Sequence, residues 1–197
     1  MKLNSSRIQV SIGIEKEVED VPHSLKIILE EPLTIADETH EYIDVLTYTS
    51  ETEAAPPGKT LFIIQLVTRS YDYWIDLRAN DRQAYSKAKT EIGEIIISLL
   101  DQRLGQIREN VDMVDVSTPA TYLRYTGNWK GSIQGWDNDN LFQANPFRKE
   151  LKGLRNFYMT GHWVEPGGGV PNAYKSGRDL AQIICKRDKI PFNPTGK

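Results

Sequence analysis

The chain of 197 residues carries 39% hydrophobic and 26% charged residues and a formal net charge of -3. This describes a globular protein of one or two domains with a substantial core, and the acidic balance argues against a general nucleic-acid binder, which needs surplus cations for phosphates. Cys185 is the only cysteine, so an internal disulfide and thiolate metal clusters are excluded and a cytoplasmic location is expected.

The N-terminal residues lack the apolar centre of a signal peptide, and no apolar run approaches the ~20 residues of a membrane-spanning helix. Residues 8–14 alternate, with Ile8, Val10, Ile12 and Ile14 on one face, which predicts a strand with one buried side. Residues 25–29 and 42–48 are further strands, separated by a polar loop. A turn follows at 51–59 around Pro56-Pro57-Gly58, and residues 61–68 read as a central strand. Residues 81–104 predict the clearest helix, because Ala88, Ile92, Ile95, Ile96, Leu99 and Leu100 recur at three- and four-residue steps. Gly105 stands where a left-handed C-terminal cap is expected.

Residues 111–116 predict a short strand and 118–125 a short helix with Pro119 in its first turn. A polar loop containing glycine and tryptophan spans 127–145. Residues 157–160 are strand-like, and 172–186 form the last helix. Ala173, Ser176, Gly177, Leu180, Ala181 and Ile184 line one of its faces.

Between those last two elements runs Pro166-Gly167-Gly168-Gly169-Val170-Pro171. Consecutive glycines cost conformational entropy, so a chain accepts them where its backbone must lie against something flat or charged. The following helix aims free amides and the positive end of its dipole at the same place. By itself the run also reads as a plain flexible turn. It is neither a triphosphate loop, since no Lys-Ser/Thr pair follows, nor a dinucleotide fingerprint, since GxGxxG is absent.

His23, His40 and His162 have no ligand-like spacing, so no metal site is expected. His162 borders the glycine run and reads either as a cofactor-facing residue or as a surface loop histidine. No serine sits in a nucleophile elbow. Tyr122, Tyr125, Trp129, Trp136 and Trp163 would line an apolar pocket or serve in ordinary packing. No catalytic residue is assigned.

Two segments together resemble the phytoene desaturase-like FAD-dependent oxidoreductases, a group that includes carotenoid isomerases and retinol saturases. The first, from Ser117 to Trp136, contains Thr118-Pro119, Arg124-Tyr125-Thr126-Gly127-Asn128 and Gly135-Trp136. The second runs from Gly153 through Thr160-Gly161-His162 and the glycine run to Ser176-Gly177-Arg178. The resemblance covers essentially the whole chain but only a C-terminal portion of the family's pattern; the family's upstream strand, GxGxxG turn and helix are missing.

The resemblance implies an α+β fold. Residues 1–145 would be part of a substrate-binding domain with a mixed or antiparallel sheet and a long helix. Residues 146–197 would be the C-terminal strand, glycine loop and helix of a Rossmann-like FAD-binding domain. Gly161 and His162 would then approach the ribityl and pyrophosphate part of FAD. Gly168, Gly169 and Val170 would run under the ring, and the helix start at Pro171 would face its pyrimidine end, favouring negative charge there. His162 departs from the acidic or small polar residue of many members.

Tyr125 and Trp136 would border an apolar, polyene- or isoprenoid-like substrate. The complete protein would transfer hydride or assist isomerisation, whereas the isolated chain would be inactive for want of half the cofactor site. Its partners would be the missing N-terminal half or a second copy, with peripheral membrane contact in the intact enzyme and no nucleic acid. The competing expectations are a non-catalytic module for apolar ligands and a subunit completing a flavin site made with a second chain.

Overall fold

The computed structural model describes residues 2–49, 54–137, 147–165 and 167–194. The chain divides into two compact units, Ser6–Gly131 and Met1–Ser5 with Ser132–Lys197. The domain boundary expected at 145/146 lies outside the described residues. The fold is mixed α+β, built on a five-stranded antiparallel sheet.

In the first unit the strands are β1 (Ser6–Ile14), β2 (Ser24–Ile35), β3 (Glu38–Tyr48), β4 (Thr60–Thr68) and β5 (Val111–Ser117), in the order β2-β3-β4-β1-β5. The alternation read in residues 8–14 fixes the register. Val10 lies opposite Ile64 on β4 and Val116 on β5, and all three are buried. A slip by one residue would turn the whole aliphatic set to solvent. β4 is central, as its sequence implied.

The polar loop expected between residues 29 and 42 is instead the continuation of β2 and β3 into a tight hairpin at Ala36 and Asp37. Its residues are mostly exposed, so they carry no apolar signal. Pro32, which cannot donate to a ladder, falls inside the register shift between Ile28 and Leu33. The hairpin end is tied down by carboxylates. Glu38 accepts the Arg69 N–H at 2.7 Å and the Thr68 hydroxyl, and Asp37 accepts the Ser70 hydroxyl.

Three helices belong to this unit: α1 (Tyr71–Asn80), α2 (Arg82–Leu104) and α3 (Pro119–Thr126). α1 was not legible in the sequence. It buries only Tyr71 and Trp74, so no apolar stripe runs along it. α2 starts where expected, because the Asp81 carboxylate accepts the Ala84 N–H at 2.9 Å. Ile92, Ile96 and Leu100 are buried as expected, but Ile95 is exposed and Ile97 is buried in its place. Gly105 has φ 72° with ψ 151°, a positive-φ exit rather than the expected left-handed cap. The Asp101 carboxylate holds that exit by accepting the Ile107 and Arg108 N–H groups, which keeps its own pKa low. α3 ends on Gly127 in the left-handed conformation.

In the second unit the N-terminal residues pair with the segment after α3. Asn4 N–H donates to the Gly135 carbonyl, Ile133 N–H to Ser5, and Asp137 N–H to Lys2. The last helix, α4 (Gly169–Asp188), begins three residues earlier than expected. The strand expected at 157–160 is reduced to one antiparallel bridge between Tyr158 and Glu150. Backbone groups there have no longer ladder to join within the described residues of this unit. Among the described residues no helix is long and apolar enough to cross a membrane.

Candidate cofactor site

Gly167, Gly168 and Gly169 all have positive φ, at 107°, 61° and 78°. L-residues rarely adopt one such value, and three in succession explain the sequence. A Cβ on Gly168 would fall 1.7 Å from Gln134 Oε1, and that oxygen accepts the Gly169 N–H at 2.8 Å. The Gln134 carboxamide therefore fills one side of the bend. The other end is open: Val170 is 83% exposed, Pro171 is exposed, and the Gly168 cap of α4 supplies no side chain to the helix amides. Pro166 lies outside the described residues.

The backbone ahead of the bend is fixed from α4. Ser176, fully buried, receives hydrogen bonds from Lys149 Nζ at 3.0 Å, the Thr160 hydroxyl at 3.1 Å and the Gly161 N–H at 3.2 Å. Gly161, at φ 102°, accepts from the Val164 and Glu165 N–H groups, closing a turn that buries Val164. Lys149 also donates to Glu165 Oε2 at 2.9 Å, with side-chain exposures of only 8% and 13%. Lys175 holds Glu165 Oε1 at 3.1 Å. Burial pushes the Glu165 carboxyl up, but the two lysines outweigh it and hold it below the ordinary glutamate value. A buried ion pair of this kind positions backbone more than it adds stability.

His162 sits at the same turn. Its carbonyl lies 2.4 Å from where a Gly135 Cβ would be, so only glycine lets the 133–137 segment approach this closely. Its ring is tilted against Trp163, with centroids 5.4 Å apart. Trp163 in turn meets Trp136 edge to face at 5.5 Å.

No family model matches the chain. Over 201 aligned residues it is 22% identical to a 4,4'-diapophytoene desaturase (4,4'-diapolycopene-forming) from Methylomonas sp, which covers 95% of the chain and 37% of that relative. It is 30% identical to the 4,4'-diaponeurosporene oxygenases of Staphylococcus aureus strains MW2 and MSSA476, over 48% of the chain and 19% of each relative. The chain is thus similar to a desaturase and to oxygenases over part of their length. It spans little more than a third of the Methylomonas relative, and the proteins it resembles are oxidoreductases by name.

The structure brings Gly161 and His162 into one turn, and places Gly168, Gly169, Val170 and Pro171 at the start of α4. Trp136 belongs to the same unit, packed on Trp163 and 6.4 Å from the Phe147 ring. Tyr125 belongs to the other unit, near the end of α3, and is 75% exposed. Lys149, Glu165 and Gln134 were not singled out from the sequence. Charged and amide side chains read as surface, and their partners lie 16 to 35 positions away. Ser176 stood out as a small residue on a helix face and as part of the second resembling segment, with no role assigned to it. Among the described residues no cluster of three or more His, Cys, Asp or Glu is arranged to hold a metal ion.

Proposed function

We infer that the chain is the C-terminal portion of an FAD-dependent oxidoreductase acting on an apolar, polyene-like substrate. The observation that carries this reading is the run of three positive-φ glycines leading into a helix start whose N-cap, Gly168, has no side chain. Likeness to a desaturase and to oxygenases across two groups of relatives supports it.

The residues present fit a flavin dinucleotide. Gly168 and Gly169 offer backbone without side chains, and the exposed α4 start, its Gly169 N–H held by Gln134, offers the positive end of a helix dipole. Gly161 and His162 would lie along the ribityl and pyrophosphate part, in a turn that Ser176 and Lys149 hold rigid. Gly168, Gly169, Val170 and Pro171 would face the ring, with Gln134 fixing the inner side of the bend. Bound FAD supplies hydride-accepting chemistry that the protein's side chains lack. The chain's own contribution is placement, and positive potential where negative charge develops. Trp136 would border the substrate.

The C-terminal unit exposes Leu151, Leu154, Phe157 and Ile183, apolar surface that the remainder of a longer protein would cover. On this reading the isolated chain has little activity. The test is flavin absorbance and fluorescence of the purified chain, alone and with a GxGxxG-containing N-terminal half supplied from a relative. The reading expects flavin retained only in the combined preparation. A folded combination that remains colourless overturns it.

A further inference from the structure

Within Ser6–Gly131, one groove of about 610 Å³ gathers cations from three helices. Arg78 stands in the last turn of α1, Arg82 in the first turn of α2, Lys89 two turns further along the same face, and Arg124 in the last turn of α3. Residues at steps of three and four share a helix face, so Arg82 and Lys89 are aimed together by α2's geometry.

Two carboxylates also line the groove, and neither forms an ion pair with these four among the described residues. Glu94 is held by Arg108 at 2.8 Å, and Asp115 accepts the Ser117 hydroxyl at 3.2 Å. Among the described residues no ion pair engages Arg78, Arg82, Lys89 or Arg124. Arg124 instead lies 5.2 Å from the Tyr125 ring centroid, and Lys89 5.8 Å from that of Tyr85. Asp81 caps the Ala84 amide, and the first turn of α2 contains no acidic residue beyond it, so the helix does not offset Arg82. With Asp115 the one lining carboxylate not paired to another cation, the four cations leave the groove with a net positive charge. Among the hydroxyls of Ser86, Thr90, Ser117 and Thr121 the wall carries a narrow apolar strip, with Val114 exposed and Ile97 beneath.

We propose that this groove binds a phosphate- or diphosphate-bearing ligand joined to an apolar body. The guanidinium groups of Arg78, Arg82 and Arg124 take the phosphate oxygens, with geometry suited to bidentate hydrogen bonds, and Lys89 adds charge. The apolar part lies along Tyr125 and Val114. This assignment is independent of the cofactor reading, since every lining residue lies in the other unit. The ligand is either a free phosphorylated molecule or a lipid headgroup.

The test uses the full chain and two probes, inorganic pyrophosphate by titration calorimetry and phosphatidylcholine vesicles with or without phosphatidylglycerol by co-sedimentation. The double variant Arg82→Gln/Arg124→Gln should weaken binding about tenfold or more, with an unchanged urea midpoint because both side chains are exposed. The independent pair Arg78→Gln/Lys89→Gln should do the same. Lys87→Gln, on the same helix but outside the groove, should leave binding intact. Pyrophosphate binding that both pairs weaken supports the free ligand. Vesicle binding that requires phosphatidylglycerol and is lost in both pairs supports the headgroup. Absence of binding to both probes overturns the proposal. So does binding that both pairs retain, as from the α4 helix start, or that Lys87→Gln weakens equally.

Discussion

The two units are held together in opposite ways. In Ser6–Gly131 the interior is a block of branched aliphatic side chains from β1, β3, β4 and α2, with Phe62 and Trp74 among its largest fully buried members. In the C-terminal unit Val164 is the one buried apolar side chain among the described residues, and the interior is Lys149, Glu165 and Ser176. Apolar burial is non-directional and scales with area, which suits a platform. Hydrogen-bonded charges are directional, so they fix particular backbone atoms. Here those atoms are Thr160, Gly161 and the turn leading to the glycine bend. The contrast separates a unit built for stability from one built to hold a loop in place.

The contrast breaks first in the core. Phe62→Ala should cost about 3–5 kcal/mol in urea unfolding, the range for deleting a buried aromatic. Lys149→Met should cost about 3 kcal/mol, the low end for breaking a buried pair, because Lys175 still holds the other Glu165 oxygen. Its second readout is faster hydrogen exchange at the Gly161 amide, which no change in the sheet should produce. Gly168→Ala should cost about 1–3 kcal/mol through forced positive φ, with displacement of Gln134 visible as a shifted side-chain amide resonance. Thr118→Val removes a buried hydroxyl hydrogen-bonded to Tyr85 at 2.9 Å and should cost about 1 kcal/mol. Leu154→Ala, on exposed surface, should stay within about 0.5 kcal/mol.

Acid sharpens the same comparison. Glu165 has its folded pKa held below the ordinary value, so its contribution is fully present above the usual glutamate range. It fades as pH falls through the depressed folded value. The loss should register at the Gly161 turn by pH-dependent hydrogen exchange, and Glu165→Gln should remove that dependence.

Legibility in the sequence followed the same division. β1, β4 and α2 were readable because burial on one face writes a period of two or a helical stripe, and α3 because Pro119 marks a first turn. The outer half of the β2–β3 hairpin was not, since Glu30, Glu31 and Pro32 sit on exposed strand with a register shift. α1 hid because Trp74 anchors it almost alone. The glycine run was legible as unusual backbone, and the structure gives its reason in three positive φ values. The polar network behind it was illegible, because nothing in a lysine's neighbours announces that it will be buried against a glutamate sixteen residues away.

The central claim is that the Gly167–Gly169 bend and the start of α4 hold a flavin dinucleotide. Its most direct test is the flavin content of a chimera in which this chain replaces the matched 37% of the Methylomonas relative, beside the same chimera carrying Gly168→Val. The account predicts stoichiometric flavin released on denaturing the first and little from the second. A first chimera that unfolds cooperatively yet carries no flavin, or a second that carries as much, would contradict it.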